Sequence, residues 1–294
     1  MDRAELDRRA EVLERLSAEG GPLSNTAPTA TINNRNFYGR SGQPTPKRRR
    51  MQSEILRKYQ KQYPEVEAGG QAIVMAGPPG AGKSTAKADA ITATVISREK
   101  WINLDADEVK KLLLEQARID GTLQAMVPPE LSAEGIDPYP AEMASLVHEE
   151  SSQLVKRLQN LAIRRKWNVI IDGTLANEVK SDALLTIMRD NGYTVHMVVV
   201  DISLADSKER IRDRWEKGVI QAEEGHDFNE GRWVPRIFAE SMFFPDDLQH
   251  SRCHANAISL AKKHSHVLRL ICRDGMTDKI VSDHRRDKSG GRLF

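Results

Sequence analysis

The stretch Gly77-Pro78-Pro79-Gly80-Ala81-Gly82-Lys83-Ser84 decides the reading of this chain. Its spacing is G-x-x-x-x-G-K-S. The short apolar run Gln71 to Ala76 precedes it, and a helix-compatible stretch begins at Lys83. Strand before and helix after is the context this pattern requires. The glycines let the backbone curl until successive N–H groups point into one concavity, and the helix that follows adds its N-terminal N–H groups and the positive end of its dipole. Such a loop is shaped for the phosphates of ATP or GTP. Lys83 is expected between the β- and γ-phosphates, and Ser84 is expected to place its hydroxyl on Mg²⁺. Gly77, Pro78, Pro79, Gly80, Ala81, Gly82, Lys83, Ser84 and Thr85 form the candidate nucleotide-binding set. The loop specifies a nucleotide and not a reaction, because switch GTPases, motor ATPases and small kinases share it.

Working outward, apolar runs alternate with helical stretches. Trp101 to Asp105, Val169-Ile170-Ile171, Thr194 to Val200 and Val267 to Cys272 read as strands. Pro140 to Arg165, Ser181 to Asn191, Ser203 to Lys217 and Asn256 to Lys263 read as helices between or beside them. Apolar strands separated by helices predict an α/β fold, a parallel sheet of P-loop type with helices on both faces. Upstream, Ala4, Leu6, Ala10, Leu13 and Leu16 fall on a helical period, which predicts an amphipathic helix from Asp2 to Ala18. Gly20 to Pro46 reads as a linker, or as a segment ordered only against something else. Lys47 to Arg50 is a basic run expected to be a solvated approach to a helix from Gln52 to Tyr63. The expected organisation is an N-terminal helical extension and linker over 1–66, a P-loop domain over 67–274, and a basic flexible tail over 275–294.

Bulk properties narrow the partners. The 294 residues carry a net charge of +2, with 39% hydrophobic and 29% charged residues, as in ordinary globular proteins and unlike a nucleic-acid binder. No apolar stretch approaches the roughly 20 residues of a membrane span, and Met1 to Glu5 has no apolar signal core, so a cytoplasmic protein is expected. Cys253 and Cys272 lack metal-type spacing and read as reduced thiols.

Candidate acceptor-side residues follow the second strand, in Asn103-Leu104-Asp105-Ala106-Asp107-Glu108. Asp107 at a strand's C-terminal edge suits a general base for an attacking hydroxyl. It equally suits the start of the helix running on through Val109 to Leu114. Asp172 ends a buried strand and is followed by Gly173-Thr174, which fits an acid that helps hold Mg²⁺ or one that binds substrate. Arg210, Arg212 and Arg214, then Arg232 and Arg236, offer guanidinium groups for charge that develops on a transferring phosphoryl group. Arg210 and Arg212 also suit a solvated helix face. Arg232 lies in Gly231-Arg232-Trp233-Val234-Pro235-Arg236, which is too irregular for one.

Taken in order, the P-loop, Ile102 to Glu108, His148-Glu149-Glu150-Ser151, Asn168 to Thr174, Asp213-Arg214-Trp215, and Arg232 three residues before Pro235 resemble the zeta toxin family. The resemblance covers about Gln71 to Cys272. It implies an ATP-dependent P-loop kinase whose characterised relatives phosphorylate the 3′-hydroxyl of the N-acetylglucosamine ring of UDP-N-acetylglucosamine. Asp107 would then be the base, and Lys83, Arg214 and Arg232 would stabilise the phosphoryl group. Asp172 and Thr174 would contact substrate, with Glu149 or Glu150 near the acceptor sugar. Mg²⁺ would sit on Ser84, with Asp172 a second candidate ligand, and an antitoxin would be a partner. Glu115 to Asp137 reads as an insertion beside the acceptor site, and the first seventy residues have no counterpart in the minimal toxin. The rival readings are a kinase of another nucleotide, cofactor or polynucleotide hydroxyl, and a nucleotide switch.

Overall fold

The computed structural model describes residues 1–226, 231–286 and 291. Its strands form a six-stranded sheet in the order β2-β3-β1-β4-β7-β8. These are β1 (Gln71–Ala76), β2 (Ile102–Leu104), β3 (Val169–Asp172), β4 (Thr194–Asp201), β7 (Val267–Asp274) and β8 (Ile280–Arg285). The two-stranded β5 (Phe243–Phe244) and β6 (Asp247–Ser251) stand apart as a hairpin. The first five strands of the large sheet are parallel, and β8 is antiparallel to β7. In β1 all residues after Gln71 are buried, and in β4 so is the consecutive run Met197 to Val200, so both faces are covered, as a parallel sheet requires. On one face Ile73, Met75, Val198 and Val200 pack with Ala86, Ala90 and Ile91 of α3 (Lys83–Thr92) and with Trp101. The expected α/β architecture is present.

The chain resolves into two compact units. One contains the sheet and spans 60–105, 157–209 and 239–294. With α3 it includes α7 (Glu178–Asp190) and α10 (Arg252–Lys263). The other is helical and spans 1–59, 106–156 and 210–238. It holds α1 (Arg3–Leu16), most of α2 (Pro46–Lys61), α4 (Ala106–Ile119), α5 (Pro129–Ala133) and the 3₁₀ turns Leu123–Met126 and Pro140–Val147. It also holds the first half of α6 (His148–Arg164), the greater part of α8 (Leu204–Glu223) and the start of α9 (Arg236–Glu240).

The N-terminal segment is therefore not a free extension. Leu6, Ala10, Val12, Leu13 and Leu16 bury one face of α1, with Arg9 buried among them. Arg9 Nε donates to Glu142 Oε1 at 2.7 Å, and its Nη2 donates to Glu142 Oε2 and to the Asp137 carbonyl. Trp215 Nε1, from α8, donates to the same Glu142 Oε1 at 3.0 Å. One carboxylate, 1% exposed, thus joins α1, the Pro140–Val147 turn and α8. Of the two readings of Gly20 to Pro46, the segment ordered against something else is the one that holds within this unit. Ser145 Oγ donates to the Leu23 carbonyl at 2.5 Å, the Thr31 N–H to the Leu146 carbonyl at 2.8 Å, and Asn34 Nδ2 to the Ala125 carbonyl at 2.8 Å.

Two further expectations are corrected. The basic run Lys47 to Arg50 lies inside α2 with Lys47, Arg49 and Arg50 exposed as expected, but Arg48 is buried, because its guanidinium meets a carboxylate of α6 described below. The tail is ordered as far as Arg286. β8 pairs with β7, Arg269 holds Asp283 through Nε at 2.8 Å and Nη2 at 2.9 Å, and the Arg286 N–H donates to the Leu268 carbonyl. The remainder of the expected tail, residues 287–290 and 292–294, lies outside the described residues.

Removing Arg9 would leave Glu142 as a buried charge with its main partner gone. Arg9→Ala is expected to cost about 3–5 kcal/mol, seen as a lowered urea midpoint. Arg3→Ala, on the exposed side of α1, is expected to leave that midpoint in place.

Candidate active site

The phosphate loop lies where β1 ends, between β3 and β4, the point at which strand order reverses and ligands bind in open α/β sheets. Gly77 has φ 140°, and a Cβ there would stand 2.2 Å from the Val200 carbonyl oxygen, so only glycine fits against β4. Its N–H donates to the Thr174 carbonyl at 3.2 Å, and Ser207 Oγ donates to the Pro79 carbonyl at 2.8 Å, which fixes the loop from two sides. Helix α3 opens at Gly82 with no side-chain cap and no acid in its first turn. Its first N–H groups are left for an anion, the arrangement a phosphate requires. Lys83 Nζ donates to the Gly77 and Pro78 carbonyls at 2.9 and 3.1 Å, so its ammonium curls over the loop. Ser84 and Thr85 are exposed at the start of the helix.

Asp172, paired in register with Met75 of β1, sits at the end of β3. Sequence reasoning missed its partner. Lys87, one turn beyond Lys83 on α3, reaches Asp172 Oδ2 at 3.2 Å. Thr174 Oγ1 accepts from the Ala176 N–H at 3.3 Å, which makes it a turn-forming hydroxyl. Ser84 and Asp172 are hard oxygen donors that fit Mg²⁺ chemically. Because Lys87 occupies one oxygen of Asp172, Ser84 is the better candidate ligand. Among the described residues no cluster of three or more His, Cys, Asp or Glu is arranged to hold a metal. Cys253 and Cys272 are buried free thiols, and burial pushes Cys253 up to about 11.

Asp107, Glu149, Glu150, Arg214 and Arg232 lie in the helical unit, whereas Asp172 and Thr174 belong to the sheet unit. Asp107 lies in the first turn of α4, where its acidic side chain suits the positive end of the dipole. The helix-start reading of it holds, with β2 ending three residues earlier at Leu104. Arg232 Nη1 donates to Asp107 Oδ1, and Lys110 Nζ donates to the same atom at 3.0 Å. Its surroundings would raise the Asp107 carboxyl, but Arg232 first, then Lys110, and Arg214 beyond them, outweigh this and hold it well below the usual carboxylate range.

Arg214 and Arg232 are brought together by the tryptophans that follow them. Trp215 and Trp233 meet edge to face with centroids 5.2 Å apart. A Cβ on Gly231 (φ 72°) would stand 2.6 Å from Gly218 Cα, so this glycine lets the returning chain lie against α8. A cavity of about 450 Å³ opens here, lined by Arg210, Arg214 and Lys217 with Asp213 and Gln221. Arg212 points elsewhere, to Glu216 and to Asp7 of α1.

His148 and Glu149 open α6, with His148 Nε2 3.9 Å from Glu149 Oε1. Burial and the neighbouring Lys110 lower His148, against the pull of Glu149 and Asp107, which keeps it neutral at ordinary pH. Glu150 differs from its neighbour. It is 0% exposed, with Arg48 Nε on Oε1 at 2.8 Å, Arg48 Nη2 on Oε2 at 2.6 Å and Gln52 Nε2 on Oε1 at 2.7 Å. Its carboxylate holds α2 to α6, whereas Glu149 keeps 40% of its side-chain surface exposed.

A parallel sheet carrying a glycine-rich phosphate loop at the end of β1 defines a P-loop protein. The zeta toxin family model matches residues 54–245, well over half of the chain, and the chain belongs to the zeta toxin family. Among solved structures it is similar to one from the PezAT chromosomal toxin–antitoxin system of the human pathogen Streptococcus pneumoniae. There the identity is 13% over 80% of each chain, with a TM-score of 0.51. It is similar also to the AvrRxo1-ORF1:AvrRxo1-ORF2 structure with sulphate ions (15% identity, 84% of this chain and 70% of that chain, TM-score 0.57). The AvrRxo1-ORF1:-ORF2 structure with ATP gives 14% identity over 86% of this chain and 70% of that chain, with a TM-score of 0.56. At these identities the likeness is one of fold. No curated protein matches the chain. Among the described residues no helix is long and apolar enough to cross a membrane.

The electrostatics of Asp107 can be read directly. Carboxyl NMR titration is expected to find it ionised down to pH 4, and Arg232→Gln is expected to move its midpoint upward. An unchanged midpoint in Arg232→Gln would show that the guanidinium does not set it.

Proposed function

We propose that the chain transfers the γ-phosphate of ATP to a hydroxyl of a sugar nucleotide, with the 3′-hydroxyl of the N-acetylglucosamine ring of UDP-N-acetylglucosamine as the leading acceptor. The observation that carries this reading is Asp107, an ionised carboxylate held by Arg232 and Lys110 at the start of α4. A nucleotide switch has no need of such a carboxylate, whereas a kinase needs a proton acceptor beside the attacking hydroxyl. The likeness to a toxin–antitoxin system and the family membership support a toxin role with an antitoxin partner. A cytoplasmic setting, where ATP is at hand, fits the same reading.

Each residue then has a physical task. The loop N–H groups and Lys83 hold the nucleotide phosphates. Ser84, with Asp172 as the second candidate, would hold Mg²⁺, which supplies positive charge to the phosphate oxygens. Arg214 and Arg232 stabilise the negative charge that spreads over the transferring group. While Arg232 lies on Asp107, the carboxylate is ionised but a weak base. When the guanidinium turns to phosphoryl oxygens, the field that depresses Asp107 weakens, and it becomes a better proton acceptor as the acceptor hydroxyl attacks. Thr174 and Glu149 complete the candidate substrate contacts.

The acceptor is tested by incubating the protein with Mg-ATP and, in separate arms, UDP-N-acetylglucosamine, nucleotide cofactors and a 5′-hydroxyl oligonucleotide. Mass spectrometry then reads the gain of one phosphate. Phosphorylated UDP-N-acetylglucosamine is the expected product, and Asp107→Asn should lower its kcat by roughly 10²–10⁴-fold. A product only in the cofactor or oligonucleotide arm would overturn this acceptor. In cells, growth arrest is expected with the wild type and not with Lys83→Met.

A further inference from the structure

The first 59 residues pack into the same unit as Asp107, and one of their side chains reaches the group around it. Asn25 Nδ2 donates to Glu149 Oε1 at 2.6 Å. The same Glu149 oxygen lies 3.9 Å from His148 Nε2, and His148 in turn feels the charges of Lys110, Asp107 and Arg232. His148 and Glu149 keep 38% and 40% of their side-chain surface exposed, so this end of the group is open to a ligand while Glu150 behind it is closed.

The backbone around Asn25 is held on both sides. Leu23 accepts from Ser145 Oγ, and Asn33 Nδ2 donates to the Thr26 and Ala27 carbonyls at 2.9 and 3.1 Å. Thr31 is bonded to Leu146, two residues before His148. A side chain on so fixed a turn is pre-organised, and a pre-organised amide loses little entropy when it binds a ligand. With one amide hydrogen spent on Glu149, Asn25 offers its Oδ1, and Glu149 offers its second oxygen. Two adjacent acceptor oxygens match the two hydroxyls of a vicinal diol, each of which donates.

We infer that Asn25 is a specificity-determining residue which, paired with Glu149, binds the polyhydroxyl ring of the phosphoryl acceptor, so that the N-terminal segment supplies one wall of the acceptor site. The inference rests on the kinase reading above and extends it to a segment that precedes the P-loop by about fifty residues.

The test measures transfer to UDP-N-acetylglucosamine with the full chain, varying acceptor and ATP independently, for wild type, Asn25→Ala and Asn25→Asp. Asn25→Ala should raise the acceptor KM about three- to tenfold, as expected for one lost neutral hydrogen bond, and leave the ATP KM unchanged. Asn25→Asp sets two carboxylates together, so one of them titrates at raised pH. Acceptor kcat/KM should therefore fall at pH 8 and recover toward pH 5, while the wild type shows no such recovery. A simple tether would not produce this acceptor-specific pH dependence. If both variants keep the wild-type acceptor KM and pH profile, the role of Asn25 is overturned and the kinase reading stands. If the wild type transfers phosphate to no polyhydroxyl acceptor, the kinase reading itself fails. Should Asn25→Ala unfold, the Asn25→Asp profile decides alone.

Discussion

The charged group of the helical unit depends on one carboxylate held between two cations. Asp107 at the start of α4 takes Arg232 and Lys110 on a single oxygen, and Arg214 adds to the field. Several features of the chain serve that arrangement. Gly231 lets the segment carrying Arg232 lie against α8, and the Trp215–Trp233 contact fixes the backbone on which both arginines stand. Lys110 is one helical turn from Asp107, so part of the charge is local and part comes from 125 residues away. On the proposed reading, a base kept ionised by the guanidinium that later serves the phosphoryl group is idle without substrate and strengthens as the reaction begins.

The N-terminal residues are structural participants in this half. Arg9 meets Glu142, which also accepts from Trp215 in the interior, Arg48 and Gln52 fill Glu150, and Asn25 reaches Glu149. Each contact ends on an acid of the turn and helix spanning 140–164 or on α8. Buried ion pairs are costly to assemble and costlier to break singly, so this packing specifies one arrangement more than it adds stability. A partner protein acting on this family member would meet a unit in which α1 and α2 are already in place.

The sheet and phosphate loop were legible because their signals are local. Gly77 to Ser84 carries its own backbone geometry, and apolar runs such as Val169 to Ile171 can only be interior strands. Asp107 was ambiguous in sequence because a helix start and a ligand-facing strand end overlap there, and the fold places it in the first turn of α4. What stayed hidden was long-range pairing. Arg48 sits in a basic run that looks solvated, and its partner Glu150 is 102 residues away. The same holds for Arg9 with Glu142 and for Asn25 with Glu149. Lys87 could have been found, since it lies four residues after Lys83 on one helix face, on the side where a strand-end acid is expected. β8 was missed because its exposed, polar residues carry no apolar alternation, and β7 alone supplies its pairing.

The central claim is that Asp107 directs the γ-phosphate to an organic hydroxyl and away from water. The direct measurement is a single turnover with γ-labelled ATP and acceptor, partitioning the label between organic product and free phosphate. The account predicts that the wild type places the label on the organic product and that Asp107→Asn leaves nucleotide binding intact while this partition collapses. Label released only as free phosphate by the wild type, or transfer by Asp107→Asn at the wild-type rate, would contradict it.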